Sequence, residues 1–280
     1  VFDRRQKKVV SCDLSEPDNG LRNLSLIQYK NMIALADAID CDVFVMHPSA
    51  YRNWIDDLGH RKYRTDVFYD SFRELIRTPA FRDGKFPVAL ENLEYDKFPA
   101  TTDELANLWW NCGNIAEQEG ISRDRIKMCL DFQHLRHSLK IINEPSNYSR
   151  LSNTPNIDDL LKGFPNVHRK LLGASMNCCW KSLRYDSFDI AADFFYRHAG
   201  NVKLVHTAGN DGSGSETHGP IIYHPNNSQI PFFALNQRAA VGTLMQYGFD
   251  GAIIVEDHSS DICGHIKSGE AIRRYIGDHL

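Results

Sequence analysis

The sequence predicts an α/β fold built on a parallel sheet. Short apolar runs rich in Val and Ile alternate with helical patterns along nearly the whole chain, and most of these runs end in a charged residue or a histidine. Such runs are typical of buried parallel strands joined by helical crossovers. The 280 residues, 42% hydrophobic and 24% charged, allow a single α/β barrel or an open doubly wound sheet.

Six apolar runs are predicted as strands, and helices are predicted between them. The strands are Val9–Asp13, Val43–His47, Pro87–Glu91, Ile126–Asp131, Val202–His206 and Ala252–Glu256. The helices are Leu24–Ile39, Asp66–Arg77, Thr102–Glu119, Ser187–His198 and Leu235–Tyr247. Capping residues at 101–104 begin the third helix, and Gly120 ends it. The interval 137–185 breaks the alternation and is predicted to be a long insertion over one face.

Composition narrows the class of protein. A net charge of -4 disfavours nucleic acid as a partner, because neutralising a phosphate backbone needs a basic excess. The seven cysteines show no CxxC spacing, which predicts reduced thiols in a cytoplasmic protein. The sequence contains no run of about 20 apolar residues, so it predicts no membrane span. We therefore expect one domain over residues 1–280 that acts on a small molecule.

The residues able to carry chemistry fall at the ends of the predicted strands. The first strand ends in Asp13, and the other five end in a histidine or a carboxylate: His47, Glu91, Asp131, His206 and Glu256. Because the carboxyl ends of parallel strands open on one face, these groups are predicted to converge on one cavity. Taken singly, each has a simpler explanation, since an acid after a strand often caps a helix and a histidine often bonds a carbonyl. A shared site explains all five together, because buried charge is costly without partners.

A mixed set of carboxylates and imidazoles suits Mn, Fe, Co or Zn. No cysteine stands among the five strand ends, which argues against a structural zinc site. Further groups follow the strands and could hold a second or third metal or contact a substrate: His134 after Asp131, and Glu216 and His218 in the glycine-bearing stretch after His206. The second site predicted in this way consists of His47, His134, Glu216 and His218.

Several motifs carry a family resemblance when they are taken in order. They are His-Pro-Ser at 47–49, Leu-Glu-Asn at 90–92, Leu-Asp-Phe-Gln-His at 130–134, Val-His-Thr-Ala-Gly-Asn at 205–210, Thr-His-Gly-Pro at 217–220 and Gly-Ala-Ile-Ile-Val-Glu at 251–256. As an ensemble they resemble the xylose-isomerase-like TIM barrels, which include sugar isomerases and epimerases and the endonuclease IV type of nuclease. The resemblance implies a (β/α)₈ barrel with one divalent metal held by Glu91, Asp131, His206 and Glu256.

The chain departs from that family pattern at its beginning. Counted against the family, Val9–Asp13 would be the third barrel strand or at best the second. We therefore expect one or two strands to precede Val1, or the barrel to be closed by the 137–185 insertion, a second copy or a partner subunit. An open barrel exposes edges that invite association.

The favoured function is an isomerase or epimerase acting on a sugar or related polyhydroxy carbonyl compound. The resemblance implies that Glu91 and Glu256 move the substrate proton and that His134 contacts the sugar, with His47 and His218 as further substrate-binding candidates. A multimetal phosphodiesterase resembling endonuclease IV and a multinuclear non-haem iron oxidase remain as alternatives, and so does a barrel without catalytic activity. The number of metals, one against two or three, separates these functions.

Overall fold

The computed structural model describes residues 2–3, 8–9, 12–50, 58–94, 97–135, 192–208, 241, 244–256 and 262–277. The chain divides into two compact units. The first unit comprises Val1–Ala100 and Glu104–Cys129, and the second comprises Thr101–Asp103 and Leu130–Leu280. The single domain over residues 1–280 stays a prediction.

The first unit contains three strands that pair in parallel. They are β3 (Phe44–Met46), β4 (Val88–Glu91) and β5 (Ile126–Asp131), the last of which ends in the second unit. Phe44 of β3 pairs with Val88 of β4, and Glu91 of β4 pairs with Cys129 of β5. All four residues of β4 are buried, as expected for a strand covered on both faces. The parallel arrangement and these three strand positions are confirmed.

Four helices accompany these strands. They are α1 (Asn19–Ala38), α2 (Leu58–Ile76), α3 (Pro79–Asp83) and α4 (Thr102–Gln118). Helix α1 begins where Asp18 accepts a hydrogen bond from the Leu21 N–H at 2.9 Å. Glu104 of α4 reaches back to the Ala100 N–H at 2.8 Å, and Gly120 ends the helix with a φ of 74°. The predicted capping and stop signals of α4 are therefore confirmed.

Among its described residues, the second unit contains a parallel strand pair with a helix before and a helix after it. They are α5 (Ala192–His198), β6 (Val202–Thr207), β7 (Ala252–Val255) and α6 (Ile262–Gly277). His206 of β6 pairs with Ile254 of β7. Gly251 allows the close approach at the start of this pair, because a Cβ there would lie 2.2 Å from the Lys203 carbonyl oxygen. Strand β6 is buried except at one position, whereas Ile254 of β7 is 43% exposed.

One predicted strand is wrong at the residues that the structure describes, and its residues 10 and 11 lie outside them. The run Val9–Asp13 was expected to join the parallel sheet, but β2 (Lys8–Val9) pairs antiparallel with β1 (Phe2–Asp3), and residues 12–13 lie outside any strand. The reason is local, because the Asp13 N–H donates to the Ser25 hydroxyl at 3.0 Å instead of joining a strand ladder.

Other predictions fall partly or wholly on residues that are not described. The insertion over 137–185 lies outside the described residues. The predicted helix Leu235–Tyr247 is represented by Val241 and residues 244–246, which are helical. Within the described part of the chain, no helix is both long and apolar enough to cross a membrane.

Candidate metal centre

Glu91 ends β4 as a buried carboxylate that contacts His47. Its Oε2 lies 2.9 Å from His47 Nε2, and the side chains of Glu91 and His47 are 1% and 57% exposed. The carbonyl oxygen of His47 accepts a hydrogen bond from the Tyr29 hydroxyl at 3.0 Å. Burial raises the pKa of Tyr29 above its usual value, so this phenol stays a donor. His47 is thus fixed at its backbone and orients the Glu91 carboxylate.

Cys129 lies beside Glu91 on the neighbouring strand. The two residues are register partners, and a Glu91 carboxylate oxygen and the Cys129 Sγ lie within 4.8 Å of each other. The Asn92 N–H continues the ladder to the Cys129 carbonyl oxygen. Cys129 is fully buried. A thiol therefore adjoins the first carboxylate of the candidate site.

Asp131 ends β5 and uses its two carboxylate oxygens differently. Oδ1 accepts a hydrogen bond from the His134 backbone N–H at 2.8 Å, which caps the helical turn at residues 132–135. Oδ2 lies 3.9 Å from His134 Nδ1. The capping explanation for Asp131 is thus correct, and the capping bond is made by Oδ1 while Oδ2 faces the His134 imidazole.

His206 and Glu256 meet across the pair β6 and β7. His206 Nδ1 lies 3.3 Å from Glu256 Oε2, and the Glu256 N–H continues the ladder to the Thr207 carbonyl oxygen at 2.9 Å. Gln133 donates from Nε2 to the Ala208 carbonyl oxygen at 2.6 Å. This bond ties the chain after β6 to the turn that follows Asp131.

Three of the predicted ligands come together within the second unit. One ligand atom from each of Asp131, His206 and Glu256 lies within 4.8 Å of the others. Asp131 and His206 are 1% and 8% exposed. Two carboxylates at such a separation repel each other unless a proton or a cation neutralises them. Two hard oxygen donors and one imidazole fit a divalent Mn, Fe, Co or Zn ion.

Of the remaining predicted site residues, two are described by the structure and two are not. The described ones are His47, which contacts Glu91 in the first unit, and His134, which contacts Asp131 in the second. Glu216 and His218 lie outside the described residues, so the second metal site built on them stays a prediction.

Sequence reasoning missed Cys129 and Gln133. Cys129 carries a detectable signal, since it precedes Asp131 by two residues on a strand and such residues share a face. The local sequence gives no such signal for Gln133, because its role depends on the carbonyl group of a residue 75 positions away.

A buried polar network beside His47 was also missed. Asp13 Oδ1 accepts hydrogen bonds from the Ser15 N–H at 2.8 Å and the Ser15 hydroxyl at 2.6 Å. The Ser15 and Ser49 hydroxyl oxygens lie 2.7 Å apart, and Arg64 Nη1 lies 3.3 Å from Asp13 Oδ2. Because Ser49 follows His47 by two residues, this network fixes the chain where β3 ends.

Comparisons with known proteins identify the fold. No family model and no curated protein matches the chain. A solved structure of a D-tagatose 3-epimerase-like protein matches at 16% identity and a TM-score of 0.55, over 97% of this chain and 75% of that one. A putative xylose isomerase from Rhodospirillum rubrum matches at 12% identity and a TM-score of 0.56, over 96% and 73%. Endonuclease IV from Thermus thermophilus matches at 12% identity and a TM-score of 0.50, over 95% and 73%.

These identities are low enough that the matches establish the fold and leave the reaction open. The three proteins act on different substrates by their names, yet each aligns with nearly all of this chain. The chain therefore shares a parallel α/β fold with these three proteins, and this likeness agrees with the resemblance that the motifs at its strand ends carry.

Proposed function

We propose that this protein is a divalent-metal-dependent isomerase or epimerase that acts on a sugar or a related polyhydroxy carbonyl compound. The observation that carries the proposal is the convergence of Asp131, His206 and Glu256, whose ligand atoms lie within 4.8 Å of one another. The fold shared with a D-tagatose 3-epimerase-like protein supports the reaction class. These three residues would hold the metal.

Glu91 is the proposed fourth ligand. Its register partner Cys129 precedes Asp131 by two residues on β5. Residues two apart in a strand point to the same face, so Asp131 shares the face of β5 that carries Cys129. The contact with His47 holds the Glu91 carboxylate in a fixed orientation, as is usual for groups around metal ligands.

The two glutamates are the proposed proton carriers. A divalent metal bound here would polarise a carbonyl and an adjacent hydroxyl oxygen of the substrate and acidify the hydrogen on carbon. One glutamate would take that proton, and the other would return it on the opposite face or at the neighbouring atom. The two carboxylates differ in environment, since the Glu91 side chain is 1% exposed and the Glu256 side chain is 46% exposed. His134, part of the same cluster as Asp131, would contact the substrate.

Metal stoichiometry tests the first part of the proposal. We expect one tightly bound Mn, Co, Zn or Fe ion per chain by elemental analysis of the purified protein. Two or three ions per chain would instead support the phosphodiesterase or the oxidase. A chain that binds none of these ions on titration, in the wild type and in Glu91→Gln alike, would refute the metal site.

Solvent exchange tests the proton transfer. Incubation with a panel of ketoses in deuterated water should introduce deuterium at the carbon beside the carbonyl group. Glu256→Gln, measured at saturating metal, should abolish this exchange while the fold persists by circular dichroism. Glu270→Gln, an exposed glutamate of α6, is the matched control and should exchange normally. Absence of exchange in the wild type with every ketose of the panel would count against an epimerase.

A further inference from the structure

A buried thiol occupies the face of β5 that carries the proposed ligands. Cys129 is 0% exposed and is the register partner of Glu91, with Sγ and a carboxylate oxygen within 4.8 Å. Cys129 and Asp131 are two residues apart on β5, so both side chains point to one face, and Met128 and Leu130 point to the other. The thiol thus stands one step before Asp131 and directly beside Glu91.

We propose that Cys129 supplies a thiolate ligand to the metal centre and makes it selective for thiophilic divalent ions, Zn²⁺ and Co²⁺, over Mg²⁺ and Mn²⁺. This inference rests on the metal site of the proposed function and adds the class of ion. On binding, the Cys129 thiol releases its proton to solvent and a sulfur–metal bond forms, with no change of oxidation state. Carboxylate sites alone suit Mg²⁺ and Mn²⁺, whereas a thiolate shifts the preference toward softer ions.

A buried cysteine often serves only as a small apolar side chain, and Cys112 illustrates that case. Cys112 is also 0% exposed, but it lies on α4, where burial raises the pKa of its thiol and so favours the protonated form. What separates Cys129 is the adjoining Glu91 carboxylate and the shared face with Asp131. Cys112 therefore provides the matched control.

The test is titration of the full chain with Co²⁺ alone, under anaerobic conditions, followed by absorption spectroscopy. The wild type should show visible d–d bands together with a near-ultraviolet sulfur-to-cobalt charge-transfer band. Cys129→Ser should keep the d–d bands and lose the charge-transfer band, and Cys112→Ser should match the wild type. We also expect Cys129→Ser to lower Zn²⁺ affinity at least about tenfold and to leave Mn²⁺ affinity nearly unchanged.

The outcomes separate this inference from the function on which it rests. Visible d–d bands without charge transfer in the wild type would overturn the thiolate ligand and leave the metal site intact. A charge-transfer band that persists in Cys129→Ser would also overturn it, because another cysteine would then be the donor. No cobalt binding in the wild type would overturn both. If Cys129→Ser does not fold, Cys129→Ala takes its place. The presence or loss of its charge-transfer band is then compared with the wild type and Cys112→Ser in the same way.

Discussion

The nearly buried imidazole of His206 lies 3.3 Å from the half-exposed carboxylate of Glu256, joining the ends of two parallel strands. The strand register fixes this contact, because His206 pairs with Ile254 and Glu256 follows two residues later. The pair therefore presents one buried imidazole, that of His206, and one accessible carboxylate, that of Glu256. That combination suits a ligand that holds a metal and a carboxylate that also reaches a substrate.

Removal of the His206 imidazole should weaken metal binding directly. We expect His206→Ala to weaken Co²⁺ or Zn²⁺ binding by more than the roughly 10–100-fold lost when only an orienting residue is removed. His198→Ala, another histidine of the second unit, should change stability without changing affinity. Calorimetric titration measures both, and equal affinities in His206→Ala and the wild type would contradict the ligand assignment.

Loss of His47, which orients Glu91, should lower the metal affinity by a smaller factor. In His47→Ala the Glu91 carboxylate loses the partner 2.9 Å away, so metal affinity should fall about 10–100-fold. The melting temperature should fall only moderately, because the His47 side chain is 57% exposed and buries little surface, while the buried Glu91 carboxylate loses one partner. A large drop in melting temperature with unchanged affinity would make the contact purely structural.

Two glycines of the second unit should respond oppositely to alanine. Gly251→Ala would place a Cβ 2.2 Å from the Lys203 carbonyl oxygen, so we expect a loss of about 1–3 kcal/mol in the free energy of unfolding. Gly269→Ala lies in helix α6, where no described atom beyond the nearby helix backbone and the chain neighbours is within 4 Å of the added Cβ, so it should gain about 0.5–1 kcal/mol. Chemical denaturation measures both, and equal responses would contradict the close approach at Gly251.

An ion pair at the ends of two helices should make the free energy of unfolding depend on pH. Arg77 donates two hydrogen bonds to Glu119, at 2.8 and 2.7 Å, and this pairing lowers the pKa of the Glu119 carboxyl. The stabilisation is then fully present above the pKa of the unfolded state and is lost as the pH falls through the lowered folded value.

We therefore expect the stability difference between the wild type and Glu119→Gln to be largest near neutral pH and to be lost on acidification, as the pH falls through the lowered pKa of Glu119. The effect should be small, because exposed pairs contribute little and are screened by salt. Denaturation across this pH range checks it. A difference that grows on acidification would have the wrong sign.

Strand ends were the most predictable feature of this chain. Glu91 and Asp131 end β4 and β5 as the apolar runs predict, and His206 lies one residue before the end of β6. Such runs report buried apolar positions, so the position at which apolar residues give way to polar ones can be read from the sequence. The resemblance then assigns roles that periodicity alone does not.

Helix starts and local turns were less predictable. Helix α1 begins at Asn19, five residues before the predicted Leu24, because Asp18 caps it ahead of the apolar pattern. Helix α6 was not predicted, and the described residues of the run Val9–Asp13 do not join the parallel sheet. In each case a polar side chain or a surface helix decides the local structure, and an apolar period carries little information about either.

The pairing of β4 with β5 has a consequence for how the protein reaches its native state. A shift of β5 by one residue against β4 would turn Cys129 and Asp131 away and present Met128 and Leu130 beside Glu91. Such a chain would have no donor from β5 for a metal. Since a ligand that binds only one arrangement stabilises it by mass action, the ion of the proposed centre would also select the correctly aligned chain during folding. Metal supply during synthesis would then govern the yield of native protein as well as its activity.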